Sequence, residues 1–188
     1  PSAELYLRST AMAAFCPIFQ YHSEYNAHRL PRNDRTPWNI QARTGDERVI
    51  PIFRFFNNVR LNLMPYIWQE AQYSAQSGEP MMRALKWIDS DPRVADTQYF
   101  FGRNLLICPI VEVGAEQTDI YLPDGTWYDL WTGAAYDGNN LHSIAAPLDR
   151  IPVFVRENVS IPVRMPENGK LGDAVTLSAQ VNGEIRFG

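Results

Sequence analysis

The period of the apolar residues changes near residue 95, and this change constrains the fold more than any other feature of the chain. Upstream, apolar side chains recur at helical spacing; downstream, they alternate or gather in short runs separated by Gly, Pro, Asn and Asp. A helix buries a stripe that repeats about every 3.6 residues, whereas a strand buries one face that repeats about every 2. The two halves therefore build different layers, and the expectation is an α+β chain with helices first and an antiparallel β-sandwich after them.

In the helical half, Ser2 can cap a first helix running to about Ala14, with Leu5, Met12 and Phe15 among its apolar positions. Cys16 to Tyr21 is a short apolar run with the pattern of a buried strand, and it ends in the polar cluster His22-Ser-Glu-Tyr-Asn26. From there to Gly45 the chain carries Pro31, Pro37 and many polar residues without a sustained period. A loop of that length inside a compact domain is usually functional. Thr44-x-x-Glu47 matches a capping box ahead of the strongest helical pattern, in which Ile52, Phe53, Phe56, Val59, Leu63, Ile67 and Trp68 recur up to Ser77. Gly78 and Pro80 stop this helix, and Pro65 predicts a kink or break around Leu61 to Met64. The stripe reads as a helix packed on a larger core.

In the second half, strands are expected at Tyr99 to Phe101, Leu105 to Val111, Thr118 to Leu122, Thr126 to Trp131, Ile151 to Val155, Val159 to Val163 and Val175 to Val181. Asp124-Gly125 between two of them predicts a hairpin. Trp127, Tyr128 and Trp131 could form a platform for a sugar, but aromatics at such positions more often face a sandwich core or an adjoining domain. Gly102 and Gly125 read as turn residues, because no glycine-rich phosphate fingerprint follows a strand.

Composition matters mainly for what it excludes. With 45% hydrophobic and 20% charged residues, the 188-residue chain is globular in character. A net charge of -4 and the absence of a basic stripe argue against nucleic acid or an anionic membrane as partner. No run approaches the ~18 apolar residues of a membrane span. Cys16 and Cys108 each sit inside an apolar run and read as buried free thiols, with no spacing that suggests a metal or disulfide. The opening Pro1-Ser-Ala-Glu has no initiator Met, basic stretch or apolar leader, so the chain reads as a piece of a longer protein.

Several motifs, in order, resemble the C-terminal part of a family 31 glycoside hydrolase, the group that contains α-glucosidases and α-xylosidases. Glu4-Leu-Tyr-Leu-Arg8, Ala14-Phe-Cys-Pro17 and His22-Ser23 resemble the approach to the last strand of that family's catalytic (β/α)8 barrel. Arg60-Leu-Asn-Leu-Met-Pro-Tyr66 resembles the following helix, and Gly78-Glu-Pro-Met-Met-Arg83 the connection after it. Gly102-Arg-Asn-Leu-Leu-Ile-Cys-Pro-Ile110, Tyr121 to Gly133 and Ile151-Pro-Val-Phe-Val-Arg156 resemble the proximal sandwich. The resemblance implies the final barrel strand and helix over 1–95, the sandwich over 96–165 and the start of a further β segment, unassigned, over 166–188. Three positions depart from the family pattern: Gln20 stands where Arg is frequent, Ser9 where Trp is usual, and Glu157-Asn-Val-Ser-Ile-Pro162 is more polar than its counterpart.

Retaining hydrolysis of a glycosidic bond needs two carboxyl groups about 5 Å apart. In family 31 both are aspartates on earlier strands, in Asp-Met-Asn-Glu and Gly-Asp-Asn type sequences, and neither sequence occurs here. No catalytic residue is therefore expected in the chain. Asp34, Asp46, Asp89 and Asp91 are explained by turns and caps. By resemblance, His22 hydrogen-bonds hydroxyls of the sugar at the point of cleavage, a role that suits a ring able to donate from one nitrogen and accept at the other. Trp38 either lines the rim of the sugar pocket or anchors the long loop. His28 and His142 read as surface residues. No metal or cofactor is expected, and the partners implied are an α-linked oligosaccharide or glycoside and the remainder of the barrel. The rival reading is a carbohydrate-binding or structural β-sandwich module with a helical extension, and a small intact hydrolase using its own carboxylates ranks behind both.

Overall fold

The computed structural model of the chain describes residues 1–20 and 34–164, together with strands Gln180–Val181 and Glu184–Arg186. The first helix, α1 (Ala3–Ala13), starts where its cap predicts: the Ser2 hydroxyl oxygen accepts from the Leu5 N–H at 3.2 Å. The expected long loop contains a short helix, α2 (Pro37–Thr44), ended by Gly45 at φ 69. Its two buried residues, Pro37 and Ile40, are too few to show a period.

The capping box does not form. Thr44 is the last residue of α2 and its hydroxyl donates to the Ile40 carbonyl at 2.8 Å. Helix α3 (Val49–Asn62) begins after Arg48 without a side-chain cap, while an Asp46 carboxylate oxygen accepts from the Arg48 N–H at 3.0 Å. A helix ending at Thr44 had already taken the residue that the motif required. The break near Pro65 is present: α3 stops at Asn62, Leu63 joins the two segments, and α4 (Met64–Ser77) carries the proline in its first turn, where no N–H is needed. Gly78 at φ 77 ends α4.

The strand expected over Cys16 to Tyr21 is not found among the described residues. Residues 16–20 are irregular, and Ile18 is 71% exposed. An extended segment needs a neighbouring strand to satisfy its backbone groups, and among the described residues no strand pairs with it. Tyr21 is outside the described residues.

Among the described residues every strand pairing is antiparallel. One six-stranded sheet orders β1 (Met82–Ala84), β2 (Tyr99–Phe101), β3 (Leu105–Ile107), β8 (Val153–Arg156), β5 (Thr126–Asp129) and β6 (Ala135–Asp137). A second sheet pairs β4 (Gln117–Leu122) with β7 (Asn140–Ala145), and a third orders β10 (Gln180–Val181), β11 (Glu184–Arg186) and β9 (Ser160–Pro162). A single turn of helix, α5 (Leu85–Ile88), lies between β1 and β2. The sheet begins with β1, upstream of the change in period near residue 95.

The six-stranded sheet is a middle layer, and its period-2 alternation decides what each face covers. Tyr99, Phe101, Leu105, Ile107, Val153 and Val155 join a core with Leu7, Phe56, Val59, Leu63 and Tyr66 of the helices. The intervening Phe100, Leu106 and Phe154 join a second core with Trp127 and with Ile120, Tyr121, Leu122 and Ile144 of the two-stranded sheet. These two sheets thus form a sandwich, and the helices cover its outer face.

The hairpin expected at Asp124-Gly125 does not form, because β4 pairs with β7 while β5 pairs with β6 and β8. The turn instead carries the chain from one sheet to the other. Its inside is closed by Gly138, whose N–H donates to the Gly125 carbonyl at 2.7 Å and whose backbone comes so close that a Cβ there would lie 2.0 Å from the Pro123 carbonyl oxygen. The strand expected over Leu105 to Val111 stops at Ile107, two residues before Pro109.

Candidate functional site

His22 and His28 lie outside the described residues. The backbone that leads toward His22 is described as far as Gln20, and the carbonyls of its first part are bonded by two side chains. Arg60 of α3 lies on the buried side, 8% exposed, with its guanidinium under the turn that follows α1. It donates to the carbonyl oxygens of Ala14 at 3.2 Å and Pro17 at 2.7 Å, and also to that of Cys16. The remaining carbonyl of this turn, that of Phe15, accepts from the Tyr99 hydroxyl of β2 at 3.3 Å. Burial lowers the pKa of Arg60 and raises those of Tyr99 and the Cys16 thiol. The lowered arginine value still leaves a cation at neutral pH, because the intrinsic value is so high.

A groove of about 960 Å³ runs along the other side of α1. Its lining includes Leu5, Ser9 and Ala13 of α1, Phe19 and Gln20 after it, Arg35, and Phe53 and Asn57 of α3. Both single-residue departures from the family pattern, Ser9 and Gln20, are in this lining. The Ser9 hydroxyl donates to the Tyr6 carbonyl at 2.8 Å, so it turns back onto its own helix. No Asp or Glu is among the described lining residues, so they supply no acid pair.

Trp38 sits in the first turn of α2, 61% exposed and outside the lining of the groove. The loop that presents it is fixed at its base. The Tyr6 hydroxyl donates to the Arg35 carbonyl at 2.8 Å, and an Asp34 carboxylate oxygen accepts from the Thr36 N–H and hydroxyl at 3.2 and 2.6 Å. Its anchoring therefore comes from Tyr6 and Asp34, and the indole is left available at the surface.

The four aspartates read as turn and cap residues resolve in one way. Asp34, Asp46, Asp89 and Asp91 each accept from the backbone N–H two residues ahead, as in an Asx turn. Asp91 also binds the Arg93 guanidinium at 2.7 Å, which holds its carboxyl down at about 2. His142 is half-buried against Tyr136, with Nε2 at 2.7 Å from the Asp137 carbonyl oxygen. Cys108 is buried and Cys16 half-buried, both as free thiols. Among the described residues no cluster of His, Cys, Asp and Glu could hold a metal ion, and no helix is long and apolar enough to cross a membrane.

The platform suggested by the downstream aromatics is internal. Trp127 is fully buried and its indole N–H donates to the Pro123 carbonyl at 2.8 Å. Trp131 packs edge-on to Phe15, beneath the Arg150 guanidinium, and donates to the Ile151 carbonyl at 2.7 Å.

The motifs quoted from the sequence meet at the seam between helices and sheet. Arg8 donates to the carbonyls of Pro147, Ala115 and Ala146 at 2.9 to 3.1 Å, and a Glu4 carboxylate oxygen accepts from the Gly114 N–H at 2.8 Å. The Tyr66 hydroxyl donates to the Phe101 carbonyl at 2.8 Å and accepts from the Asn104 N–H at 3.2 Å. Glu70, 2% exposed, accepts from the Arg103 guanidinium at 2.9 Å and from its N–H at 3.0 Å, while Tyr73 stacks on the same guanidinium. Residues 1–70 match the model of the glycosyl hydrolases family 31 TIM-barrel domain, and residues 78–161 that of the family 31 C-terminal domain. The chain belongs to glycosyl hydrolase family 31.

The isomaltosyltransferase of Sporosarcina globispora is 42% identical over 192 residues, which cover 100% of this chain and 18% of that protein. The 1,3-alpha-isomaltosidase of Kribbella flavida is 45% identical over 83% of this chain and 22% of its own length. The structure of the cycloalternan-forming enzyme from Listeria monocytogenes, solved with a pentasaccharide substrate, superposes with a TM-score of 0.85 at 43% identity, over 93% of this chain and 17% of that one. The chain thus corresponds to about a fifth of these family 31 relatives, 17 to 22% of their lengths.

Proposed function

We propose that this chain is the closing part of the catalytic barrel, with its adjoining sandwich, of a retaining α-glycosidase that cleaves or transfers isomaltosyl units of an α-glucan. The observation that carries the reading is the 42% identity to an isomaltosyltransferase across the whole chain. It is supported by the isomaltosidase relative and by the pentasaccharide bound to the Listeria enzyme.

In this reading residues 1–95 complete the barrel, lending β1 to the sheet; 96–165 form the sandwich, and 166–188 begin a further β segment. The acid pair that retention requires lies in another stretch of polypeptide, since the turn aspartates of this chain are each bound to backbone N–H groups. His22 hydrogen-bonds sugar hydroxyls beside the scissile bond, and the exposed Trp38 offers an aromatic face at the rim. The remaining barrel strands seat in the groove along α1, covering Leu5, Phe19 and Phe53. This reaction class needs neither a metal nor an organic cofactor. The rival reading as an independent sugar-binding module is disfavoured by the burial of Trp127, which leaves that indole no face for a ligand.

The test is an assay of the complete enzyme on a glucan oligosaccharide ending in an isomaltosyl unit, beside nitrophenyl α-glucoside and α-xyloside. Release or transfer of isomaltose as a unit is expected. Products limited to single glucose or xylose residues would remove the isomaltosyl assignment. The 188-residue chain alone is expected to turn over none of the three.

A further inference from the structure

Strand β4 has one edge that the sandwich leaves unpaired. The Ala146 N–H donates to the carbonyl of Glu116, just ahead of β4, at 2.8 Å, so the ladder to β7 takes the backbone groups of Thr118, Ile120 and Leu122. Those of Gln117, Asp119 and Tyr121 point the other way. At Tyr121 a side chain stands in for a neighbouring strand: the Gln98 amide nitrogen donates to the Tyr121 carbonyl at 2.8 Å, and the amide oxygen accepts from the Tyr121 N–H at 3.4 Å. At Gln117 and Asp119 no backbone partner is found among the described residues. Beside them a cleft of about 180 Å³ lies between β4, the segment before β2 and the segment after β3. That is below the roughly 300–1,000 Å³ of a pocket for a drug-sized ligand, and it suits a molecule of one ring.

The lining is chemically selective. Buried Cys108, Ile110 and Ile120 give the cleft an apolar floor, while half-buried Thr97 and exposed Glu112 and Asp119 give it polar walls. No lysine or arginine is among the described lining residues, so nothing there balances the charge of a phosphate or a sugar acid. A peptide strand fits poorly, because the open strip runs only from Gln117 to Asp119, about 7 Å, before Gln98 closes the edge. A neutral sugar ring matches each group present. Its hydroxyls donate to the carboxylates and open carbonyls and accept from the open N–H groups, and its C–H face lies on the apolar floor. We propose that this cleft is a sugar-binding site, which takes one pyranose unit of a neutral α-glucan at the open edge of β4. Its described lining shares no residue with that of the groove along α1. The choice of a glucose unit rests on the isomaltosyl reading above; the site itself rests on the cleft and the open edge.

The experiment is amide hydrogen exchange at Gln117 and Asp119 in the complete enzyme, titrated with isomaltose, with methyl α-xyloside and with the open-chain polyol sorbitol. Isomaltose is expected to slow exchange there at least about fivefold, with a midpoint in roughly the millimolar range for a single ring with few contacts. Glu112→Ala and Asp119→Ala each remove a charged acceptor and are expected to raise that midpoint about tenfold. Glu112 lies outside β4, so Glu112→Ala decides alone should Asp119→Ala disturb the strand. Protection already present without sugar would mean that another part of the enzyme covers the edge, and the inference falls. It falls equally if sorbitol protects as well as isomaltose, or if Glu112→Ala leaves the midpoint unmoved. Protection by methyl α-xyloside alone overturns the glucose assignment, together with the reading on which it rests. No protection by any sugar overturns the cleft, and release of isomaltose by the same enzyme would then leave the isomaltosyl reading standing.

Discussion

Helix α1 presents two opposite surfaces, and they are finished to different degrees. Toward the sandwich, Arg8 and Glu4 are joined to backbone groups of two loop segments, and Leu7 and Ala11 are buried in the common core. Toward the groove, Leu5 is 60% exposed, and half-buried Phe19 and Phe53 stack on each other at 6.1 Å between ring centres. One surface ties the terminal nitrogens of Arg8 and the Glu4 carboxylate to backbone partners in the chain, leaving Arg8 Nε without a hydrogen bond; the other offers apolar area to water. A stripe of that kind on a folded protein marks a contact surface. The contrast teaches that the helices and the sandwich are built as one unit through the seam, and it leaves the groove as the surface where the proposed reading seats the rest of the barrel.

Three measurements would break or sharpen this contrast, the largest expected effect first. Gly102 lies at φ 64, where a Cβ would stand 2.3 Å from the Tyr66 hydroxyl and 2.6 Å from Glu70 Cγ. Gly102→Ala is therefore expected to destabilise the complete enzyme by about 3 kcal/mol or more, combining left-handed strain with disruption of the buried bonds of Tyr66 and Glu70. A denaturant midpoint unchanged by this substitution would show that the seam is soft.

On α1 itself, Arg8→Ala removes three charge-assisted bonds to carbonyls and is expected to cost about 1–3 kcal/mol in the same measurement. Leu5→Gln, one turn away on the groove side, is expected to change the stability of the 188-residue chain by less than about 0.5 kcal/mol, as at other exposed positions. In the complete enzyme the same substitution should cost about 1–3 kcal/mol, because the site would then be covered. Equal and small effects in both would mean that the groove stays open to water and would break the comparison.

Much of the fold was legible in the sequence, for identifiable reasons. Ser2 capping α1, the break before Pro65 and the stop at Gly78 are signals carried by residues within one turn of the structure they control. The run Tyr99 to Phe101 disclosed a strand, which the structure buries on both faces. The failures share a different cause. Thr44-x-x-Glu47 has the spacing of a capping box, but Thr44 was already the end of α2, too short a helix to show a period. Asp124-Gly125 has the composition of a hairpin turn, yet β4 and β5 had better partners in separate sheets.

The candidate site divides in the same way. Trp38 was legible as an aromatic in a Pro-bounded loop, whereas Arg60 was visible only as a motif letter. One signal could have singled it out: it stands at the spacing of Phe56 and Leu63, so a cation falls on an apolar stripe and must find buried acceptors.

From the order of its residues alone, this chain declared where its apolar period switches, where its long helix breaks and which family it joins. Those properties depend on near neighbours along the backbone, or on motif letters counted in line. The tertiary structure alone decided which strand lies beside which, and which carbonyls receive the buried arginines. Such pairings are set by the surfaces left uncovered once all layers have packed, and a local window of sequence does not contain that competition.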